Sequence, residues 1–94
     1  MIVERVEIPV LPGQEEAFLA TLEQWRDAIQ QADGCHSVAF GRGVENPSKV
    51  LILVEWDAVA SHTAFSQSDA GVDFVNQIVG FFGGAPSLEH FEKA

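Results

Sequence analysis

The spacing of the apolar residues changes along this chain, and each change marks a switch between a strand and a helix. In residues 2–10 apolar side chains alternate with other residues, which predicts a strand; those on one face are Ile2, Val6, Ile8 and Val10. From residue 14 they recur at helical spacing instead, in a stripe formed by Phe18, Leu22, Trp25 and Ile29. A chain with both periods mixes helices and sheet.

The rest of the chain continues this alternation. The further predicted elements are a strand over 36–43, a strand over 50–56, a short helix in 57–65 with Asp57 near its cap, an apolar helix over 72–82 and a strand over 87–92. The third strand is apolar on both faces except for Glu55, so we expect it in the middle of the sheet. The order of the strands and the two longer helices predicts an α+β, ferredoxin-like βαββαβ fold, with an antiparallel sheet and helices on one face.

The face of the sheet that the helices leave open predicts an interface. Ninety-four residues suit one domain, 1–94. Val3, Leu51 and Leu53 would place apolar side chains on the open face, and bare apolar faces usually mark contact surfaces. We therefore expect a homodimer formed through this open sheet face.

Charge and cysteine content exclude several classes of partner. The net charge is −9, with 14 acidic and 5 basic residues, so nucleic acid and anionic membrane surfaces would be repelled. The longest uncharged stretch, 74–88, is too short and too rich in glycine for a membrane span. The single Cys35 cannot form an internal disulfide, which favours a reducing compartment. We expect a cytoplasmic protein without nucleic-acid or membrane partners.

One segment resembles a known family. The sequence "GRGVENPSKVLILVEWDAVASHTAFSQSD" has a proline turn, an apolar strand ending in "EW", a helix with "H..F" and a following serine. In these features it resembles the antibiotic biosynthesis monooxygenase (ABM) superfamily. The similarity in element order covers nearly the whole chain, whereas residue identity is concentrated between Gly41 and Ser68.

The resemblance implies a dimeric α+β barrel and a choice among several chemistries. The superfamily includes cofactor-free monooxygenases acting on quinols and polyketide phenols, haem-degrading enzymes, isomerases and proteins without assigned activity. The haem-degrading members carry an Asn on the first strand and a His on the last long helix, and these sites fall near Val6 and Val75 here. Haem degradation is therefore not expected. The strand before Trp56 also lacks the polar groups of the members that act on polyketide phenols, although Trp56 itself matches.

His62 is the candidate catalytic residue, because an imidazole can accept a proton near neutral pH. The alternative is a half-buried histidine bonded to a backbone carbonyl. The candidate substrate-binding residues are Trp56, Phe65, Phe74 and Asn76. Trp56 could equally be a core ring, the phenylalanines core residues and Asn76 a solvated residue. The three histidines show no metal-ligand spacing, so no metal site is expected.

These observations favour a cofactor-independent monooxygenase that uses O₂ on a quinol or a polyphenolic, polyketide-type aromatic. His62 would act as the base in an apolar pocket, and no cofactor is expected. Two alternatives stay open: a non-catalytic dimeric module that binds a small apolar metabolite, and an isomerase or cyclase on the same scaffold.

Overall fold

The computed structural model describes all residues from Met1 to Ala94 and consists of one four-stranded antiparallel sheet with three helices. The elements, in chain order, are β1 (Ile2–Pro9), α1 (Glu15–Gln30), β2 (Cys35–Arg42), β3 (Lys49–Trp56), α2 (Val59–Gln67), α3 (Asp69–Ile78), a 3₁₀ turn (Val79–Phe81) and β4 (Ser87–Glu92). The strand order β2-β3-β1-β4 is that of a ferredoxin-like α+β fold, so the predicted fold class is confirmed.

β3 lies inside the sheet between β2 and β1, as its two apolar faces predicted. Its even-numbered residues pack under the helices, and Val50 and Trp56 there are 0% and 1% exposed. The register pairs Glu4 with Val54 and Val6 with Ile52, so the even-numbered residues of β1 share that covered face. The odd-numbered residues of both strands lie on the open face.

The open face has an apolar centre between charged groups. Val3, Leu51 and Leu53 are partly exposed there. Arg5 forms ion pairs with Glu7 and Glu89 at the β1–β4 side. The structure describes a single chain, so the homodimer stays a prediction.

The predicted boundaries are wrong at both ends of the last long helix. α3 begins at Asp69 rather than near residue 72, because the Ser68 hydroxyl accepts a hydrogen bond from the Gly71 amide and caps the helix there. It ends at Ile78, and the chain continues as a 3₁₀ turn rather than as α-helix. The backbone at Phe82 is extended, and Val10 pairs with it in an isolated bridge. Pairing of this segment with the chain at the end of β1 therefore replaces the last helical turn.

Asp57 does not cap the short helix. α2 begins at Val59, and Ala58 occupies the cap position without a side-chain hydrogen bond. The Asp57 carboxylate instead pairs with His36 at the start of β2. No helix of the protein combines the length and the apolar character that crossing a bilayer would require.

Candidate functional site

A cavity of about 380 Å³ lies between the sheet and the α2–α3 pair. Its walls are mostly apolar and come from β1, β3, α1, α2, α3 and the chain leading into β4. The lining residues are Glu4, Val6, Ile8, Ile29, Ile52, Val54, Trp56, His62, Phe65, Ser66, Gly71, Phe74, Val75, Ile78, Phe82, Pro86 and Leu88. Such a volume falls within the roughly 300–1,000 Å³ of small-molecule sites.

The opening of this cavity lies between α3 and β4. Val75 and Leu88 both line the cavity, and they are 49% and 48% exposed. Each residue therefore contacts both the cavity and the protein surface.

The junction of α2 and α3 keeps the space above the sheet from being filled. α2 buries no residue completely. The chain turns at Ser68, and the buried Gly71 passes so close to α2 that a β-carbon on it would lie 2.0 Å from the Phe65 carbonyl oxygen. Only glycine permits this approach, and the resulting tight turn leaves Phe65 and Phe74 as walls of the cavity rather than as its filling.

The polar end of the cavity is built on Glu4, a carboxylate on the covered face of β1. Glu4 is only 7% exposed. The Trp56 indole Nε1–H donates a hydrogen bond of 2.9 Å to Glu4 Oε1. Burial raises the pKa of Glu4, although the indole hydrogen bond and the nearby His90 imidazole oppose the shift. Trp56 therefore holds a carboxyl group that its surroundings keep poorly solvated.

His62 projects from α2 onto the same end of the cavity. Its ring stacks on the Trp56 ring, with centroids 5.6 Å apart and an interplanar angle of 22°. Its Nδ1 lies 2.8 Å from Nε2 of His90, which reaches it from β4. Burial, together with the nearby His90, lowers the pKa of His62. Both effects favour the uncharged form of the imidazole.

Two atoms at this polar end make no hydrogen bond within the protein. They are Glu4 Oε2 and His62 Nε2, which lie 3.3 Å apart without being aligned for a hydrogen bond. Every side-chain nitrogen or oxygen that is fully enclosed has a hydrogen-bond partner. Glu4 Oε2 and His62 Nε2 are therefore not fully enclosed, and both residues line the cavity.

Of the residues selected from the sequence, four meet at the cavity and one does not. His62, Trp56, Phe65 and Phe74 all line it. Asn76 lies on α3 with an exposed side chain and does not contribute to the lining. Helical geometry explains this: the neighbouring Phe74, Val75 and Ile78 occupy the inward face of α3, which turns position 76 to solvent.

Glu4 and His90 were missed as site residues. The sequence did contain a sign of Glu4: even-numbered residues of β1 share one face, so this acidic residue lies on the same face as Ile2, Val6 and Ile8. A charged residue on an apolar face is a reason to look for a function. His90 could be connected to Glu4 only through the strand register, which pairs the two residues directly across β1 and β4.

No group of three or more His, Cys, Asp or Glu side chains in the structure has the geometry to hold a metal ion. Cys35 is partly buried at the start of β2, and burial raises the pKa of its thiol. The polar chemistry of the cavity therefore comes from Glu4, His62 and the Trp56 indole, with His90 behind them.

Comparison with known proteins places the chain in a family. Residues 1–77 match the family described as "Antibiotic biosynthesis monooxygenase". The chain belongs to this family. The resemblance expected from residues 41–68 is therefore confirmed.

Individual relatives agree with this assignment to the ABM family. The crystal structure of a Bordetella bronchiseptica protein, proposed to be an antibiotic biosynthesis monooxygenase, is similar with a TM-score of 0.93 and 33% identity, covering 99% of this chain and 96% of that one. The "uncharacterized protein YczJ" of Bacillus subtilis is 26% identical over 93 residues, which are 98% of each chain.

A third relative is much longer than this chain. The "42.8 kDa protein in whiE locus" of Streptomyces coelicolor is 30% identical over 71 residues, which are 76% of this chain and 18% of that protein. The similarity therefore concerns one segment of the Streptomyces protein.

Proposed function

We propose that this ABM-family protein is a cofactor-independent monooxygenase that oxidises a quinol or polyphenolic aromatic inside the α2–α3 cavity, with His62 as general base and Trp56 as a stacking wall. The observation that carries the proposal is the position of His62, which lines the polar end of an apolar cavity with its Nε2 3.3 Å from Glu4 Oε2 and is stacked on Trp56. Five aromatic side chains line the cavity and suit a flat ligand: Trp56, His62, Phe65, Phe74 and Phe82.

The hydrogen bond to His90 prepares His62 for this task. A neutral imidazole carries one N–H, and when that proton lies on Nδ1 it is donated to His90 Nε2 at 2.8 Å. Nε2 then has a lone pair directed at the cavity. The lowered pKa keeps this nitrogen unprotonated at neutral pH. Glu4, 3.3 Å away, favours the imidazolium that forms when His62 takes up a proton.

The chemistry needs only O₂ besides the substrate. With an anthrone as the model compound, His62 Nε2 removes one proton from the ring CH₂, and the electron pair remains on the substrate as an enolate. The enolate reduces O₂, and the two combine at that carbon as a hydroperoxide after the proton returns. The hydroperoxide loses water to leave a carbonyl. One oxygen atom ends in the product and the other in water, together with both hydrogens of the CH₂ group.

The apolar walls support the proposal in a second way. Radical and peroxide intermediates react with water and with nucleophilic side chains, and exclusion of solvent suppresses such side reactions. Twelve of the 17 lining residues are hydrophobic. The only free acid–base atoms we identify in the cavity belong to Glu4 and His62.

Oxygen uptake with a panel of hydroquinones and anthrones tests the proposal. We expect the wild type to consume O₂ and His62→Ala to lose about 10²-fold or more of the rate, the range of a general base. His36→Ala is the matched control, since His36 is an exposed histidine paired with Asp57. Equal rates in wild type and His62→Ala would remove His62 from the mechanism.

The same panel separates the two other activities. Conversion of substrate at an unchanged rate under argon would indicate an isomerase or cyclase. Thermal stabilisation by a panel member without any turnover would indicate a binding module. Either result contradicts the proposed oxygenation.

We also propose that two copies associate through the open face of the sheet. The apolar centre formed by Val3, Leu51 and Leu53 supports this, because it is the part of the sheet that no helix covers. Leu53→Asp would place a charge at this centre, and we expect a monomer mass by light scattering, against a dimer for wild type. A monomeric wild type at micromolar concentration contradicts the proposal.

A further inference from the structure

The polar end of the cavity presents two hydrogen-bond acceptors rather than one. Glu4 Oε1 accepts the Trp56 indole N–H, and His62 Nδ1 bonds with His90. Glu4 Oε2 and His62 Nε2 are left, 3.3 Å apart, on two residues that line the cavity. A carboxylate oxygen is an acceptor, and His62 Nε2 is one when the ring proton lies on Nδ1.

We propose that Glu4 Oε2 and His62 Nε2 bind two adjacent hydroxyl groups of one aromatic ring, so that the substrate class is an ortho-diphenol. This inference rests on the proposed function and names its substrate. Oxygens on neighbouring ring carbons have a separation close to that of the two acceptors. Each hydroxyl can therefore donate to one acceptor while the ring lies along Trp56 and extends over the apolar walls.

The surroundings discriminate against other aromatic ligands. A single hydroxyl leaves one buried acceptor without a partner, and hydroxyls placed far apart reach only one of the two atoms. An aromatic carboxylate would bring a second negative charge beside Glu4 in a poorly solvated space. Burial also strengthens each hydrogen bond that does form, because the local dielectric constant is low.

The proton inventory of the proposed reaction is consistent with this arrangement. Binding breaks no covalent bond. In the reaction the hydroxyl on His62 gives its proton to Nε2 and keeps the electron pair, while the second hydroxyl remains hydrogen-bonded to Glu4. The resulting phenolate reduces O₂ and forms a C–O bond at a ring carbon that bears hydrogen, and the hydroperoxide then loses water as its O–O bond and that C–H bond break. A diphenol and one O₂ thus give a hydroxyquinone and one water, so no reductant is required. Glu4 thus becomes a substrate-binding residue and His90 a positioning residue that keeps the His62 proton on Nδ1.

Binding of hydroxynaphthalenes under argon tests the inference without any turnover. The probes are 2,3-dihydroxynaphthalene with adjacent hydroxyls, 2,7-dihydroxynaphthalene with separated hydroxyls, 2-naphthol, and 3-hydroxy-2-naphthoic acid with a carboxylate. Quenching of tryptophan fluorescence in mildly alkaline buffer gives each Kd. We expect 2,3-dihydroxynaphthalene to bind about tenfold or more tighter than each of the other three, as one additional hydrogen bond to a charged group provides.

Variants assign the second hydrogen bond to Glu4. Glu4→Gln keeps an acceptor for the Trp56 indole but removes the charge, and we expect the preference for adjacent hydroxyls over 2-naphthol to fall to about twofold or less. Glu16→Gln makes the same charge change on the exposed surface of α1 and should retain the full preference. Circular dichroism checks that each variant is folded.

The ligand series on the wild type decides the question even if Glu4→Gln does not fold. The inference is overturned if wild type binds the four probes equally or binds none, or if folded Glu4→Gln retains the preference. A preference for adjacent hydroxyls without oxygen uptake from any substrate would refute the proposed oxygenation and leave the two-point acceptor standing. Oxygen uptake without the preference would do the reverse.

Discussion

The two ends of the covered sheet face differ in how completely the helices fill the space above them. Beneath the N-terminal half of α1, Phe18, Leu22 and Val50 are each 0% exposed, and the Phe18 ring packs on Phe81 with centroids 5.3 Å apart. Beneath α2 and α3 the chain leaves a cavity of about 380 Å³ with a buried carboxyl group at its end. The α1 end is a packed core, and the α2–α3 end encloses a cavity.

The difference follows from the helices that cover each end. α1 has 16 residues and one apolar stripe, so it can lie flat on the strands and bury large side chains. α2 and α3 have 9 and 10 residues and meet at the Ser68 turn, and α2 buries no side chain completely. Two short helices joined by a sharp turn cannot both follow the sheet surface. We therefore expect stability to be concentrated at the α1 end, whereas the α2–α3 end holds the cavity and its polar groups.

The largest difference in the free energy of unfolding should appear between two variants that each remove a phenylalanine ring, one at the packed end and one at the cavity. Phe18→Ala would leave a void in a packed region, and we expect a loss of about 3–5 kcal/mol in the free energy of unfolding. Phe74→Ala removes a partly exposed ring that already borders the cavity, so we expect about half that loss. Urea denaturation at a fixed protein concentration, followed by circular dichroism, measures both. Equal losses would contradict the division into a packed and an open end.

The α2–α3 junction can be tested at glycine. Gly71→Ala would bring a methyl group against the Phe65 carbonyl, which is backbone and cannot move aside, and we expect a loss of about 2–3 kcal/mol. Gly80→Ala is the matched control, because a β-carbon there has no neighbour within 4 Å. The control should be neutral or slightly stabilising, by about 0.4–1 kcal/mol. A tolerated Gly71→Ala would show that the turn is not constrained as described.

The two tryptophans test the contribution of one hydrogen bond to stability, because the Trp56 indole donates to Glu4 and the Trp25 indole does not. Trp56→Phe leaves Glu4 Oε1 without its donor, and we expect a loss of about 2 kcal/mol, the cost of an unsatisfied buried acceptor plus lost area. Trp25→Phe changes the same ring at a half-buried position whose indole makes no side-chain hydrogen bond, so its loss should be smaller. Thermal and urea unfolding compare the two. A larger loss of stability for Trp25→Phe would show that the hydrogen bond between Trp56 and Glu4 does not stabilise the fold.

The smallest expected effect is a pH dependence. Because the pKa of Glu4 is raised in the folded protein, Glu4 favours folding fully below its unfolded pKa, and this contribution is lost as pH rises through the folded value. His62 acts in the opposite direction, since its lowered pKa gives a contribution present above the unfolded pKa and lost as pH falls through the folded value. His62, His90 and Cys35 are the titratable groups that face Glu4.

Glu4→Gln isolates the first of these contributions. We expect this variant to be more stable than wild type at neutral pH, and the difference should shrink as pH falls below the unfolded pKa of glutamate. Urea denaturation at a series of pH values gives the difference, with Glu16→Gln as the control for the change in net charge. A difference that grows on acidification would mean that the pKa of Glu4 is lowered rather than raised.

Local sequence patterns were sufficient for most of the fold. Alternation in residues 2–10 and the Phe18–Ile29 stripe placed β1 and α1, and β4 lies at residues 87–92 as predicted. These elements depend on which faces are apolar, which the order of residues specifies directly. The boundaries of α3 were predicted less well, because the Ser68 cap and the pairing of Phe82 with Val10 compete with helical propensity.

The candidate site divides in the same way. His62 and Trp56 lie on either side of one turn, so nearness in sequence sufficed to bring them together. Glu4 and His90 join them through strand pairing across 85 intervening positions, and only the register of β1 against β4 places the two side chains opposite each other. Asn76 shows the converse, since its neighbours on α3 line the cavity while it faces solvent.

The sequence by itself determined the order of strands and helices, the covered face of the sheet and the family, because these depend on local periodicity and on residue identity. The tertiary structure decided that α2 and α3 leave a cavity and that Glu4, His62 and His90 meet at its end. Burial and hydrogen bonding between distant segments set the charge state of those groups, and neither can be read before the segments are brought into contact.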